Sequence, residues 1–268
     1  MDKTMIDMSL FFTYETNLPA DVGYALFSPA HISAIVICLL IIILITVRFI
    51  SSRDEGRLRI RKTTAVIPVI MLVVRFTYVI ICGAPIIYEF PLHLCSMTGI
   101  FCLVYEFSLI KHPYLRSVLG QAMYALCLPG ALMAILFPNG TIYPIIHYIS
   151  FESYLFHALI IAYMCVRLID KGIIPGIKEA YKSILFLLII VPPVYLFNVI
   201  FNTNFMFVIR PSSGSPLYGF YEAGGYAGYR IGFAFVALVV IYIMNILYEL
   251  AHYTFSALFH KKFHDFPK

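Results

Sequence analysis

Tryptophan is absent from this chain of 268 residues, and only 12% of them are charged. Soluble domains carry roughly a quarter charged residues, so this composition excludes an ordinary water-facing surface. No C-x-x-C spacing occurs among the six cysteines, which removes the usual redox and zinc frameworks. The first 28 residues lack the basic start, short apolar core and small-residue cleavage site of a signal peptide, so the first apolar span is expected to stay attached. No loop is long enough for a soluble domain, and no internal repeat or low-complexity tract is visible.

What the chain has is apolar length. It is 61% hydrophobic with a mean hydropathy of +0.89, and 20 Tyr and 23 Phe replace Trp as the aromatic stock. Tyrosines must then form any interfacial belt. Seven apolar spans stand at about 29–49, 63–83, 91–110, 115–137, 151–169, 181–201 and 230–250, each near the roughly 20 residues a bilayer core requires. The expected fold is an all-α, polytopic membrane bundle of seven transmembrane helices, forming one domain over residues 1–268.

Charge orients it. Arg48, Arg53, Arg57, Arg59, Arg61 and Lys62 cluster after span one. Lys111 and Arg116 follow span three, Arg167, Lys171, Lys178 and Lys182 follow span five, and Lys261, Lys262 and Lys268 close the chain. Fifteen of the nineteen basic residues thus fall on one side, leaving Lys3, Arg210 and Arg230 opposite and Arg75 inside a span. The positive-inside rule makes the crowded side cytoplasmic, with the N-terminus outside and the C-terminus inside. Loops account for the net charge of +5, and no nucleic-acid partner is expected.

In this orientation the polar residues gather toward the outer leaflet. His31, His93, Cys95, His157 and Arg230 lie near the outer starts of their spans, and span six finishes in Asn198, Asn202 and Asn204. Arg75 falls about 12 Å below the outer end of span two at 1.5 Å per residue. Together they read as a cationic, hydrogen-bonding pocket or as glue between helices; glue has no reason to prefer one leaflet.

The stretch Pro91-Leu-His-Leu-Cys95 opens span three. Ionisable groups at such depth are costly and mark functional sites by default, and a thiol becomes a nucleophile only when a base takes its proton. Cys95, Gly99, Cys102 and Glu106 share one helical face, whereas His93 points about 200° away from Cys95 unless the turn at Pro91 is irregular. Span five supplies the other base, His157. If its helix starts at Ser150, a good N-cap, His157 lies about 10 Å in and level with Cys95; a start at Pro144 puts it about 20 Å in. The late start turns 138–149 into an outer hairpin carrying His147, and Glu152 then orients a histidine or pairs with Arg75. An inter-helix hydrogen bond is the plainer role for His157. Cys38, Cys82, Cys102, Cys127 and Cys165 read as small hydrophobes, with a Cys82–Cys95 disulfide conceivable.

Two other classes compete. Four histidines in the outer half suggest a zinc lipid hydrolase, but no two of His31, His93, His147 and His157 stand four apart and no Asp accompanies them. A transporter would use Pro129-Gly130 and Pro192-Pro193 to break spans four and six.

The stretches Pro91–Cys95, Leu128-Pro-Gly-Ala-Leu through Phe137-Pro-Asn139, Phe151-Glu-Ser-Tyr-Leu-Phe-His157 and Asn202-Thr-Asn-Phe-Met-Phe207 resemble, in that order, the YwaF family of bacterial integral-membrane proteins. That family is similar to the eukaryotic transmembrane protein 164 acyltransferases and, more distantly, to androgen-induced fatty-acid-ester hydrolases. The resemblance implies a bacterial cell-membrane protein whose substrates are membrane lipids. It further implies acyl transfer through an acyl-cysteine with a histidine base, by position Cys95 and His157. Around that pair His93, Arg75, His147, Glu152, Asn198, Asn202, Asn204 and Arg230 are the expected lipid-binding residues. Arg75 or Arg230 would hold a phosphate, and the asparagines would donate to the oxyanion. Neither a metal ligand nor a cofactor is expected.

Overall fold

The described residues form eight α-helices: α1 (Pro29–Ile50), α2 (Asp54–Ile81), α3 (Leu94–Glu106), α4 (Pro113–Ala122), α5 (Leu128–Leu136), α6 (Tyr148–Ile169), α7 (Ala180–Phe201) and α8 (Tyr218–His264). A π turn, Met123–Cys127, joins α4 to α5. The computed structural model describes residues 8–211 and 217–264, with 255–264 as backbone alone. Lys3, Lys268 and the side chains of Lys261 and Lys262 lie outside it. Among the described residues there is no β-strand.

Among the described residues six stretches are long and apolar enough to cross a membrane: α1, α2, Pro113–Leu136, α6, Ile177–Phe201 and Tyr218–Thr254. The span expected at 91–110 is the exception. Residues 91–93 form a turn, and the chain leaves the helix through Ser108 at φ 51°. The thirteen residues of α3 therefore reach about 20 Å, short of the ~30 Å hydrocarbon core. Seven expected spans become six of membrane length and one shorter apolar helix.

The chain folds as two compact units, Met1–Lys111 with Cys127–Gly172, and His112–Leu126 with Ile173–Lys268. In the first, α6 is the central rod. Ala158 to Met164 are all buried, while Leu39, Leu40, Ile43 and Leu44 of α1 are exposed as lipid-facing residues would be. Helix α6 packs against α1, α2, α3 and α5. Local chemistry fixes the ends. Pro29 stands in the first turn of α1, and the Ser28 hydroxyl accepts the His31 amide at 3.4 Å. At the other end Arg57 donates to the Phe49 and Ile50 carbonyls at 3.3 and 3.2 Å, closing a tight helical hairpin into α2.

In the second unit α7 packs against α4 and α8. It runs unbroken through Pro192 and Pro193, and Pro113–Leu136 counts as one helical length through Pro129. Neither Pro129 nor the Pro192-Pro193 pair interrupts its helical length. A sharp bend falls instead in α8, where Gly225 takes φ 59°, ψ −151°, a conformation open essentially to glycine alone.

Candidate functional site

Helix α3 begins with His93 as its N-cap residue, in extended conformation, and the His93 side chain does not cap the first turn. The first intrahelical bond runs from Met97 N–H to the His93 carbonyl, at 2.9 Å. The amides of Leu94, Cys95 and Ser96 thus precede the hydrogen-bonded ladder, as at any helix start. Cys95, half-buried, stands in that turn with the positive end of the helix behind it. Residues 91–93 form a turn, so the 200° separation that a regular helix would impose on His93 and Cys95 does not apply. His93 lies in the field of Arg75 and Glu89.

His157 projects from α6. Its Nδ1 is 2.6 Å from the Ser153 carbonyl oxygen, which can only accept, so Nδ1 carries the proton and Nε2 keeps its lone pair. That is the tautomer a general base needs. The helix begins at Tyr148, two residues before the expected Ser150 and well after Pro144. The cap is His147, whose Nδ1 accepts the Ile149 amide at 3.0 Å, while Ser150 donates to the Pro144 carbonyl at 2.9 Å. Helices α3 and α6 close on each other one turn below Cys95. A side chain at Gly99 would meet the Phe156 ring at 3.0 Å, next to His157. From the other side, α5 brings Gly130 against the Cys95 sulfur. Cys82 and Cys95 are both free thiols.

Arg75 is held by two carboxylates. Its Nε donates to Glu89 at 2.8 Å and its Nη1 to Glu152 at 3.0 Å, so of the two alternatives for Glu152 the structure takes the pair with Arg75. One cation facing two carboxylates leaves the cluster short of positive charge, which opposes a phosphate there. His147 is fully buried, and its Nε2 donates to the Thr13 carbonyl at 2.9 Å. Both of its nitrogens are engaged in fixing backbone. His31 is committed likewise, accepting from the Phe27 amide and donating to the Ile135 carbonyl. An apolar groove of about 380 Å³ flanks α2 between Phe12, Tyr78 and Tyr148, and neither Cys95 nor His157 lines it.

Asn198, Asn202, Asn204 and Arg230 belong to the second unit. Asn202 ends α7 in the left-handed conformation, φ 51°. Asn198 accepts from Phe205 N–H and the Thr203 hydroxyl, at 2.8 and 2.7 Å, and donates to the Phe205 carbonyl at 2.9 Å. Asn204 bonds the backbone of Ile209 and Arg210 in the same manner. The Asn-Thr-Asn motif thus builds a chain reversal, and an oxyanion contact would have to compete with it. Arg230 lies over the Tyr195 ring, 5.4 Å from its centroid.

A second charged cluster escaped the sequence reading. Glu106, the last residue of α3, accepts from Arg61 at 3.1 Å and lies 3.5 Å from Arg167. Asp170 bonds Arg61 at 2.9 Å and Arg167 at 3.0 Å. Tyr163 donates to Glu106, and Tyr105 donates to the Gly172 carbonyl. The available signal was that Glu106 and Arg167 sit within or beside apolar runs, where a charge needs a partner. Among the described residues no three His, Cys, Asp or Glu side chains gather as a metal site would need.

Six apolar helices of membrane length among the described residues define a multi-pass membrane protein. A family model described as TMEM164 family matches residues 26–245, and the chain belongs to that family, the kinship read from its motifs. No curated protein and no solved structure matches it.

Proposed function

We propose that this protein transfers acyl groups between membrane lipids through a thioester on Cys95. The observation that carries the reading is the position of Cys95, a half-buried cysteine in a first turn that the His93 side chain does not cap. Helix starts lower a thiol's cost of ionisation and present amides to anions. His157 Nε2 takes the thiol proton, and the thiolate attacks the ester carbonyl carbon of a phospholipid. The amides at the start of α3 hold the oxyanion, in place of the committed asparagines. The carbon–oxygen bond of the ester then breaks, and the departing lysolipid oxygen takes the proton back from His157. A lysolipid hydroxyl reverses the sequence to discharge the thioester. With the N-terminus outside and the C-terminus in the cytoplasm, as the charge pattern implies, the reaction belongs to the outer leaflet.

The test is mass spectrometry of the purified protein after incubation in phosphatidylcholine vesicles. A fatty-acyl adduct is expected on Cys95 and on no other cysteine. Cys95→Ala abolishes transfer and Cys95→Ser retains little, because the hydroxyl has a far higher pKa than the thiol. Cys102→Ala, one buried position on the same face, is silent. Equal lipid turnover by Cys95→Ala and the wild type would sink the acyl-cysteine mechanism.

A further inference from the structure

We propose that Gly130 is the acyl gate of the thiol. Its missing side chain leaves open the flank by which a lipid ester reaches Cys95, and the size of residue 130 selects the acyl groups admitted. This rests on the reading of Cys95 as the residue that becomes acylated.

The glycines of the first unit are bare for different reasons. A β-carbon at Gly99 would press into the Phe156 ring and approach Pro68, and one at Gly172 would strike the Arg167 guanidinium. Close packing forces both. A β-carbon at Gly130 would meet a single atom within 4 Å, the Cys95 Sγ at 3.8 Å. That is ordinary van der Waals distance, with space around it, so packing does not demand glycine. Glycine in a helix costs about 0.5–1 kcal/mol relative to alanine, and here no local contact offsets that. What the absent methyl preserves is the space next to the sulfur. A reacting carbonyl carbon has to come within about 3–3.5 Å of its nucleophile, and a methyl at 3.8 Å would occupy that position.

The same face of α5 leads outward. Gly130, Met133, Ala134 and Phe137 follow i, i+3, i+4, i+7 spacing. Gly130 and Ala134 are partly accessible, Met133 is 50% exposed and Phe137 47%. An accessible stripe therefore begins at the thiol and runs along the helix, with a pliable methionine in its path. The π turn at Met123–Cys127 inserts an extra residue just before this segment, rotating the face that follows. It ends at Cys127, whose side chain lies beside Thr98 on α3. Cys95 opposite Gly130 and Thr98 opposite Cys127 fix the register of the seam.

The experiment uses full-length protein, wild type, Gly130→Ala and Gly130→Leu, in vesicles whose phosphatidylcholine carries either oleoyl or butyryl chains. Acylation of Cys95 is read by mass spectrometry, its accessibility by alkylation with iodoacetamide, and folding by thermal stability. Gly130→Ala is expected to melt no lower than wild type and to be alkylated at a similar rate. Its oleoyl transfer should fall on the order of tenfold, and that of Gly130→Leu on the order of a hundredfold, as displacement of reacting atoms by about 1 Å predicts. The ratio of oleoyl to butyryl transfer should fall with it. Equal acylation in all three proteins overturns the gate, as does a lower melting temperature for Gly130→Ala or loss of alkylation in step with acylation. A wild type that never acylates Cys95 overturns the proposed function itself, a result distinct from any of these.

Discussion

Two ionic clusters tie α2 to α6 in the first unit, and they are built on opposite plans. In one, Arg61 and Arg167 face Glu106 and Asp170, two cations against two carboxylates, with Tyr163 filling a further acceptor. In the other, Arg75 alone faces Glu89 and Glu152. About 21 Å of α2 separate them at 1.5 Å per residue. The balanced cluster is only slightly the more closed of the two: the Glu106 and Arg61 side chains are 3% and 26% exposed, against 6% for Glu152 and 30% for Arg75. Taking charges out of water costs more than their attraction readily returns, so the balanced cluster is understood as a geometric device. It clamps the end of α3 to α2 and α6, so that the opposite end of that short helix holds Cys95 in a fixed place. The under-compensated cluster sits at that Cys95 end, beside His93. Balanced charge stands away from the thiol, and unbalanced charge near it.

The largest expected effect breaks the balanced cluster. Glu106→Gln leaves two guanidinium groups with one carboxylate in a buried setting, and loss of one partner from such a pair costs about 3–5 kcal/mol. Little folded protein should survive extraction, as judged by size-exclusion chromatography of a fluorescent fusion, since the chain has no tryptophan to report on its own folding. Near-normal yield would mean that the cluster clamps nothing. Gly172→Ala is the milder version. The new methyl runs into Arg167, whose Nε is buried without a partner among the described residues. Displacing that side chain should cost about 1–3 kcal/mol, in the range of overpacking, visible as a lower melting temperature with unchanged acylation per folded molecule.

Much of this was legible in the sequence because hydropathy and charge act over long stretches. Span positions survive to within a few residues for α1 and α7, where nothing but apolar length decides them. The start of α6 was readable to within a few residues from its apolar run, although the cap is His147 and not the expected Ser150. Helix α3 was overdrawn, since an apolar run does not reveal that its first residues form a turn. The Arg61–Glu106–Arg167–Asp170 cluster was hidden for a different reason. Its members come from three helices, and Arg61 and Arg167 looked like loop charges obeying an orientation rule. Asn198 and Asn204 looked like donors at the end of a span, but their geometry belongs to the chain reversal that follows.

Glu89→Gln sharpens the contrast by having little effect on stability. It turns one cation against two carboxylates into an even pair, and a partly exposed ion pair is worth under about 1 kcal/mol. The same acid-to-amide change that disables the balanced cluster should shift the melting temperature only slightly here, in either direction. A loss as large as that of Glu106→Gln would erase the distinction between the two ends.

Mild acid should separate the ends as well, by the smallest effect. The segment around Phe11–Thr13 is held to the Cys95 end by neutral hydrogen bonds: Tyr148 N–H to the Phe11 carbonyl at 3.0 Å, Tyr78 hydroxyl to Phe12 at 3.3 Å, and His147 to Thr13. Burial pushes His147 below its usual value, and the Thr13 carbonyl opposes that only in part. The folded protein therefore resists protonating a ring that the unfolded chain would protonate near pH 6.5. The contribution is complete above that pH and is lost as the pH falls through it, because the unfolded state then binds more protons. Protonation also abolishes the Nδ1 acceptor that caps α6. Hydrogen exchange at residues 11–13, corrected for its intrinsic pH dependence, should rise between pH 7.5 and 5.5 while exchange around Glu106 and Asp170 stays constant. His147→Gln should remove that pH dependence; if residues 11–13 respond to acid as strongly in the variant, the titrating group lies elsewhere.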